Sequence, residues 1–184
     1  MKNMYFLTIL VLFQVISNIQ CLSSPIRQFT TYRNATELMK NVADLWWTVN
    51  DVDKEITFEL HVKTTGWVAL GIASTEENSR DADMGIGWIN ANGQFYFEDR
   101  FSHGFVLPVK DSTTQDWFGL QGREENDWTA IQFKRALDTH DTMDFPIRSG
   151  INVLLFAYGP VDPNPDITYH EDRRSTHRLS LWKS

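Results

Sequence analysis

The chain has 184 residues, 42% hydrophobic and 13% aromatic, with seven Trp, twelve Phe and a formal net charge of -7. That length suits one domain with a sizeable core rather than two, and the aromatic content favours sheet packing over a helical bundle. An acidic balance with no basic patch excludes a nucleic-acid-binding surface.

Lys2 precedes an apolar stretch, Met4 to Ile16, interrupted by Thr8 and Gln14 and followed by a polar region with Ser17, Cys21 and Ser23. The stretch is too short to span a bilayer stably, and it ends where a signal peptidase could cut. It predicts a secretory signal over 1–21, removed between Ser17 and Ser24, and an extracellular product with no membrane span; an uncleaved anchor is the alternative. Cys21, the sole cysteine, lies in or beside that signal, so a processed domain is expected to hold no disulfide. Asn34-Ala35-Thr36 is an N-glycosylation sequon in a polar segment, and Asn34 is the candidate acceptor of a glycoprotein.

Residues 22–44 read as a lead-in whose end is compatible with a strand, and 45–182 as the domain proper. ADLWWTVN and EITFELHVKT are strand-like. Ile56, Phe58, Leu60 and Val62 alternate with Thr57, Glu59, His61 and Lys63, the signature of a half-buried strand, which puts His61 on an exposed outer face. Trp67 to Arg100 reads as three strands, the last two joined by a turn at Asn90-Ala91-Asn92-Gly93 whose Asn-Gly pair suits positive φ. WFGLQGRE, WTAIQFKRAL, INVLLFAYG and STHRLSLW complete the set. INVLLFAYG is the most continuously apolar, a candidate for the centre of a sheet. Short strands with frequent turn signals predict an all-β sandwich.

No GxSxG elbow, P-loop, GxGxxG, HExxH or CxxC is present. The five histidines (61, 103, 140, 170 and 177) show no i, i+2 or i, i+4 pairing. What remains is a set of acids at strand ends and loops: Asp81, Asp83, Glu98, Asp99, Asp111 and Asp116. A calcium-like ion takes six to eight oxygens, some from main-chain carbonyls, so spread-out donors serve if the fold gathers them. Spacing alone favours the plainer reading, strand-end acids facing water.

The ordered blocks GWVALGIAS, DADMGIGWI, FEDRF, DSTTQDW, FKRALDTHDTMDFPI, VLLFAYGP and YHEDRRS resemble the DOMON domain. They are most similar to the form at the N-terminus of dopamine β-monooxygenase and its monooxygenase-like relatives. The resemblance implies an immunoglobulin-like antiparallel β-sandwich that binds a small-molecule, sugar or protein ligand without catalysing. It also implies a cation site formed by Asp83, the carbonyls of Met84 and Arg100, and Asp116. Such a donor set suits Ca²⁺, or Na⁺, better than Zn²⁺. Other DOMON domains hold haem b between a Met and a His. His170 falls near the family's His, but Glu76 to Arg80 stand where the Met is usual, and Met84 reads as a core residue of its strand, so haem b is not expected. A truncated monooxygenase-like product lacking the copper lobes is a further alternative. The cysteine of the enzymes' TCD block is His140 here, so the implied disulfide tether is absent.

Overall fold

The computed structural model describes residues 22–74 and 81–183. The predicted signal over 1–21, with Cys21, and the segment Glu76 to Arg80 lie outside the described residues. Eleven strands follow in chain order: β1 (Asn34–Met39), β2 (Ala43–Asn50), β3 (Glu55–Val62), β4 (Val68–Ala73), β5 (Ala82–Ile89), β6 (Phe95–Ser102), β7 (Val109–Lys110), β8 (Phe118–Glu125), β9 (Trp128–Ala136), β10 (Ile151–Tyr158) and β11 (Arg174–Ser180). They form two antiparallel sheets, ordered β1-β2-β3-β9-β8 and β11-β10-β4-β5-β6-β7. The architecture is the all-β sandwich expected.

Alternation decides which side chains meet between the sheets. Leu45 and Trp47 of β2, Phe58 and Leu60 of β3, and Ile131 and Phe133 of β9 face Leu70 of β4 and Leu154 and Phe156 of β10 in one core. Phe58, Phe133, Phe97 and Trp117 stack at 5.3–6.1 Å between ring centroids. The inner face of β5 carries Gly85 and Gly87, where an added Cβ would lie 2.5 Å from Phe97 Cζ and 3.0 Å from Phe97 Cδ2. Those glycines let Phe97 and Trp117 settle onto the strand. The turn at Asn90–Gly93 forms as its chemistry requires, with Gly93 at φ 76° and its N–H donating to the Asn90 carbonyl at 2.8 Å.

β10 is flanked on both sides, by β11 and β4, one strand in from the edge. Three edges are short or irregular: β7 has two residues, and register shifts fall between Glu37 and Met39 in β1 and between Gly119 and Gln121 in β8. No helix among the described residues is long and apolar enough to cross a membrane.

One expectation is corrected. His61 does point away from the core, yet its exposure is 0%. Residues 23–32 cross the outer face of the five-stranded sheet and cover it. Ile26 packs with Trp128 and Ala130, Ser24 Oγ meets His61 Nδ1 at 2.7 Å, and the Phe29 N–H donates to Glu59 at 2.9 Å. Both faces of β3 are therefore buried. Asn34 opens β1 at the uncovered edge and is exposed.

Candidate functional site

At one end of the sandwich the two sheets are bridged by charge. Asp83 and Asp99 both face inward, diagonal neighbours across the β5–β6 pair, where Asp83 opposes Phe101 and Gly85 opposes Asp99. Arg135 comes from β9 of the other sheet. It is fully buried, and its guanidinium is hydrogen-bonded to Asp83 Oδ2 and lies 3.5 Å from Asp144 Oδ2. Trp117 Nε1 donates to Asp83 Oδ1 at 2.5 Å, and the guanidinium stacks 4.9 Å from the Trp117 ring.

The connection between β7 and β8 closes the end. Asp116 and Trp117 donate their N–H groups to Asp99 Oδ2 at 2.7 and 3.2 Å. Gln115 Nε2 donates to the carbonyls of Asp99 and Asp111 at 3.2 Å each. Thr113 joins Asp111 to Asp141, donating to the latter at 2.8 Å, and Thr114 joins Asp116 to Asp141. The network so traced contains six carboxylates and one guanidinium.

Three of those acids hold a buried oxygen with no hydrogen-bond partner among the described residues: Asp99 Oδ1, Asp111 Oδ2 and Asp144 Oδ1. Their residues are 1%, 7% and 8% exposed. Ligand atoms of Asp83, Asp99 and Asp144 lie within 4.8 Å of one another, as do those of Asp111, Asp141 and Asp144. A buried carboxylate oxygen without a donor is costly, and a hard cation relieves that cost directly. Burial pushes Asp99 up to about 8 and Asp83 up to about 7, Arg135 opposing the rise at Asp83. Burial raises Asp144 as well.

The four residues implied as cation ligands are therefore gathered around one end of the β5–β6 pair. Met84 and Arg100 are register partners, but their side chains leave on the opposite face. Arg100 pairs there with Glu98 at 2.8 Å and Asp166 at 2.7 Å. Both oxygens of Asp83 already accept hydrogen bonds. The oxygens that lack donors belong to Asp99 and Asp111, visible in the sequence as strand-end acids, and to Asp144, which sits in a polar turn with no distinguishing pattern. Asp81 reaches His103 at 3.7 Å and Glu98 points outward, so neither joins the cluster.

On the outer face of the six-stranded sheet lies a groove of about 1080 Å³. Its floor is apolar, with Trp67, Ala69, Ile86 and Ile167 and the half-buried Met84. Phe105 to Pro108 and Tyr169 and His170 also line it. Met84 is thus not in the central core, the place its strand pattern suggests. His170 Nδ1 lies 2.7 Å from the Glu171 carbonyl.

The Ser24–His61–Glu59 chain resembles an acyl-transfer constellation in its hydrogen bonding, with His61 Nε2 2.6 Å from Glu59. His61 and Glu59 are 0% exposed, so no substrate reaches them.

A family model described as the DOMON domain matches residues 40–159. MOXD1 homolog 2 of Drosophila melanogaster is 37% identical over 133 residues, 71% of this chain and 17% of that protein. DBH-like monooxygenase protein 2 of Mus musculus is 36% identical over 118 residues, 64% of this chain and 19% of the relative. The chain thus spans about a fifth of the length of these curated relatives. Among solved structures, the cytochrome b domain of pyranose dehydrogenase from Coprinopsis cinerea aligns with TM-score 0.58 and 12% identity, covering 78% of this chain and 80% of that one. The cytochrome domain of Myriococcum thermophilum cellobiose dehydrogenase aligns with TM-score 0.58 and 13% identity, covering 76% and 74%. At such identities the likeness is one of fold. A model match over more than half of the chain, on a sandwich of this topology, makes the chain a member of the DOMON domain family.

Proposed function

We propose that this DOMON domain is a secreted, non-catalytic binding module whose loops are tied together by one hard, calcium-like cation. The observation that carries the reading is the set of donorless buried oxygens on Asp99, Asp111 and Asp144. With Asp83 and Asp116 beside them, and the carbonyls of Met84 and Arg100 implied by the family, these residues would hold the ion. An oxygen-only donor set selects a hard cation over zinc or copper. The ion's contribution is charge neutralisation: it would offset a network in which carboxylates outnumber the guanidinium, and it would couple the β7–β8 and β9–β10 connections to β6. The partner bound by the module is a small molecule, a sugar or a protein.

The test is calorimetric and thermal. Calcium is expected to bind purified protein and chelator to lower its melting temperature, with Asp99→Asn, Asp116→Asn and Asp144→Asn each removing the difference. Absence of both calcium heat and any chelator effect would sink the reading.

A second reading, a haem b electron-transfer domain, has one observation in its favour: Met84 and His170 line the same groove. A Soret band in the purified protein that His170→Ala removes would install it, and a colourless protein after haem supplementation would retire it. A third, a portion of a longer dopamine β-monooxygenase-like protein, is decided by the intact mass of the native product.

A further inference from the structure

Under the segment 23–32 lies a second set of buried acids, apart from the candidate cation site. Asp44 is 0% exposed. Its neighbours in register are Glu37 on β1 and His61 on β3. Glu59, also 0% exposed, takes the His61 Nε2 contact at 2.6 Å. Glu37 is occupied by the Asn41 N–H at 2.8 Å. The imidazole thus serves Glu59, while Asp44 is left beside a like-charged residue across the strand pair.

The donors Asp44 does have are peptide groups of the first described residues. The N–H groups of Ser23 and Ser24 each donate to Oδ2 at 2.7 Å, and Ser23 Oγ lies 3.3 Å from the same atom. Oδ1 has no hydrogen-bond partner among the described residues. A carboxylate this buried, with one oxygen unserved and no cation among its bonded partners, lacks the compensation such groups ordinarily have. The nitrogens nearest to it are those that leader removal between Ser17 and Ser24 can turn into an α-ammonium.

We propose that Asp44 is the receptor for the new amino terminus: cleavage between Leu22 and Ser24 delivers an α-ammonium to its carboxylate and locks residues 23–32 onto the sheet. An ammonium has three donors where an amide has one, so the terminus reaches Oδ1 as well as Oδ2. Cleavage hydrolyses one peptide bond, leaving the leader's carboxylate on the discarded piece and the amine on the domain. Once that amine is protonated, the acidic face gains its missing positive charge. Leader removal then acts as a folding step as well as an export step.

The secreted protein is expected to begin at Ser23 or Ser24 by intact mass and N-terminal sequencing. A chain released from a fusion to begin at Ser23 is expected to melt about 5 °C above the same chain with an uncleaved Gly-Ser-Gly-Ser extension. In Asp44→Asn that difference disappears. Should the variant not fold, acylation of the terminal amine by an amine-reactive ester gives the same answer, slowed about tenfold in the native protein relative to the urea-unfolded chain. A start other than Ser23 or Ser24, an extension with no thermal effect, a difference that survives in Asp44→Asn, or native labelling as fast as unfolded labelling would each overturn the proposal.

Discussion

The domain buries carboxylates in two places, and it treats them differently. Between the sheets, Asp83 and Asp144 pair with Arg135, a cation from the opposite sheet, and Asp99 lies beside the two acids. Outside the five-stranded sheet, Asp44 and Glu59 are covered by a returning segment and served by peptide N–H groups and one imidazole. The first arrangement carries its own charge compensation and leaves oxygens over; the second contains no Lys or Arg among the bonded partners of its acids. Burial by itself does not say how an acid is satisfied. What matters is whether the covering element brings a full charge or only dipoles, because desolvation of a carboxylate outweighs a single neutral hydrogen bond.

The largest expected effect breaks the inner arrangement. Arg135→Met strands Asp83 beside Asp144 and is expected to cost about 3 kcal/mol in denaturant unfolding. The loss is greater above pH 7 than below, because Asp83, pushed up to about 7, escapes part of the penalty by taking a proton. A loss that is the same across that range would show that the guanidinium acts only by packing.

Next comes the outer arrangement. Glu59→Leu leaves the Phe29 N–H and His61 Nε2 without their acceptor, and is expected to cost about 2 kcal/mol. Hydrogen exchange at Phe29 should accelerate far more than exchange in β5. If the two accelerate together, the covering segment is not a separate unit.

A pH titration sharpens the contrast. Asp83 and Asp99 have folded pKa values of about 7 and about 8, above those of an unfolded chain. The folded state therefore holds more protons between about pH 4 and about pH 8. In chelator, the contribution of these two groups to stability is fully present below the unfolded value and is lost as pH rises through the folded ones. Saturating calcium should abolish that decline, and Asp99→Asn should flatten it without calcium. A melting temperature whose pH profile ignores both ion and variant would contradict the inner site. The smallest effect is the control: Lys134→Ala removes a half-exposed pair to Glu55 at 2.9 Å and should change stability by about 0.5 kcal/mol.

Most of the fold could be read from alternation, because strands such as Glu55–Val62 write their facing into every second residue. The covering segment could not. Residues 23–32 have no periodicity, and their contact with His61 spans 37 positions, so the same alternation that placed His61 outward made it look solvated. Part of the inner site was open to reading. Asp83 shares parity with Ile89 on an apolar strand, an inward acid that asks for a partner. Asp144 and Arg135 gave no comparable sign; their roles depend on which loop caps which end, and that is settled only when both sheets are assembled.

The blunted margins of the sandwich have a consequence for self-association. With a two-residue strand at one border and kinked pairing at two others, the straight backbone a second molecule could zip onto is confined to β11, whose seven residues pair with β10 in unbroken register. Crowded copies of this domain are thereby steered away from fibrillar stacking at three of its four borders, and backbone-to-backbone association is left to the β11 border alone.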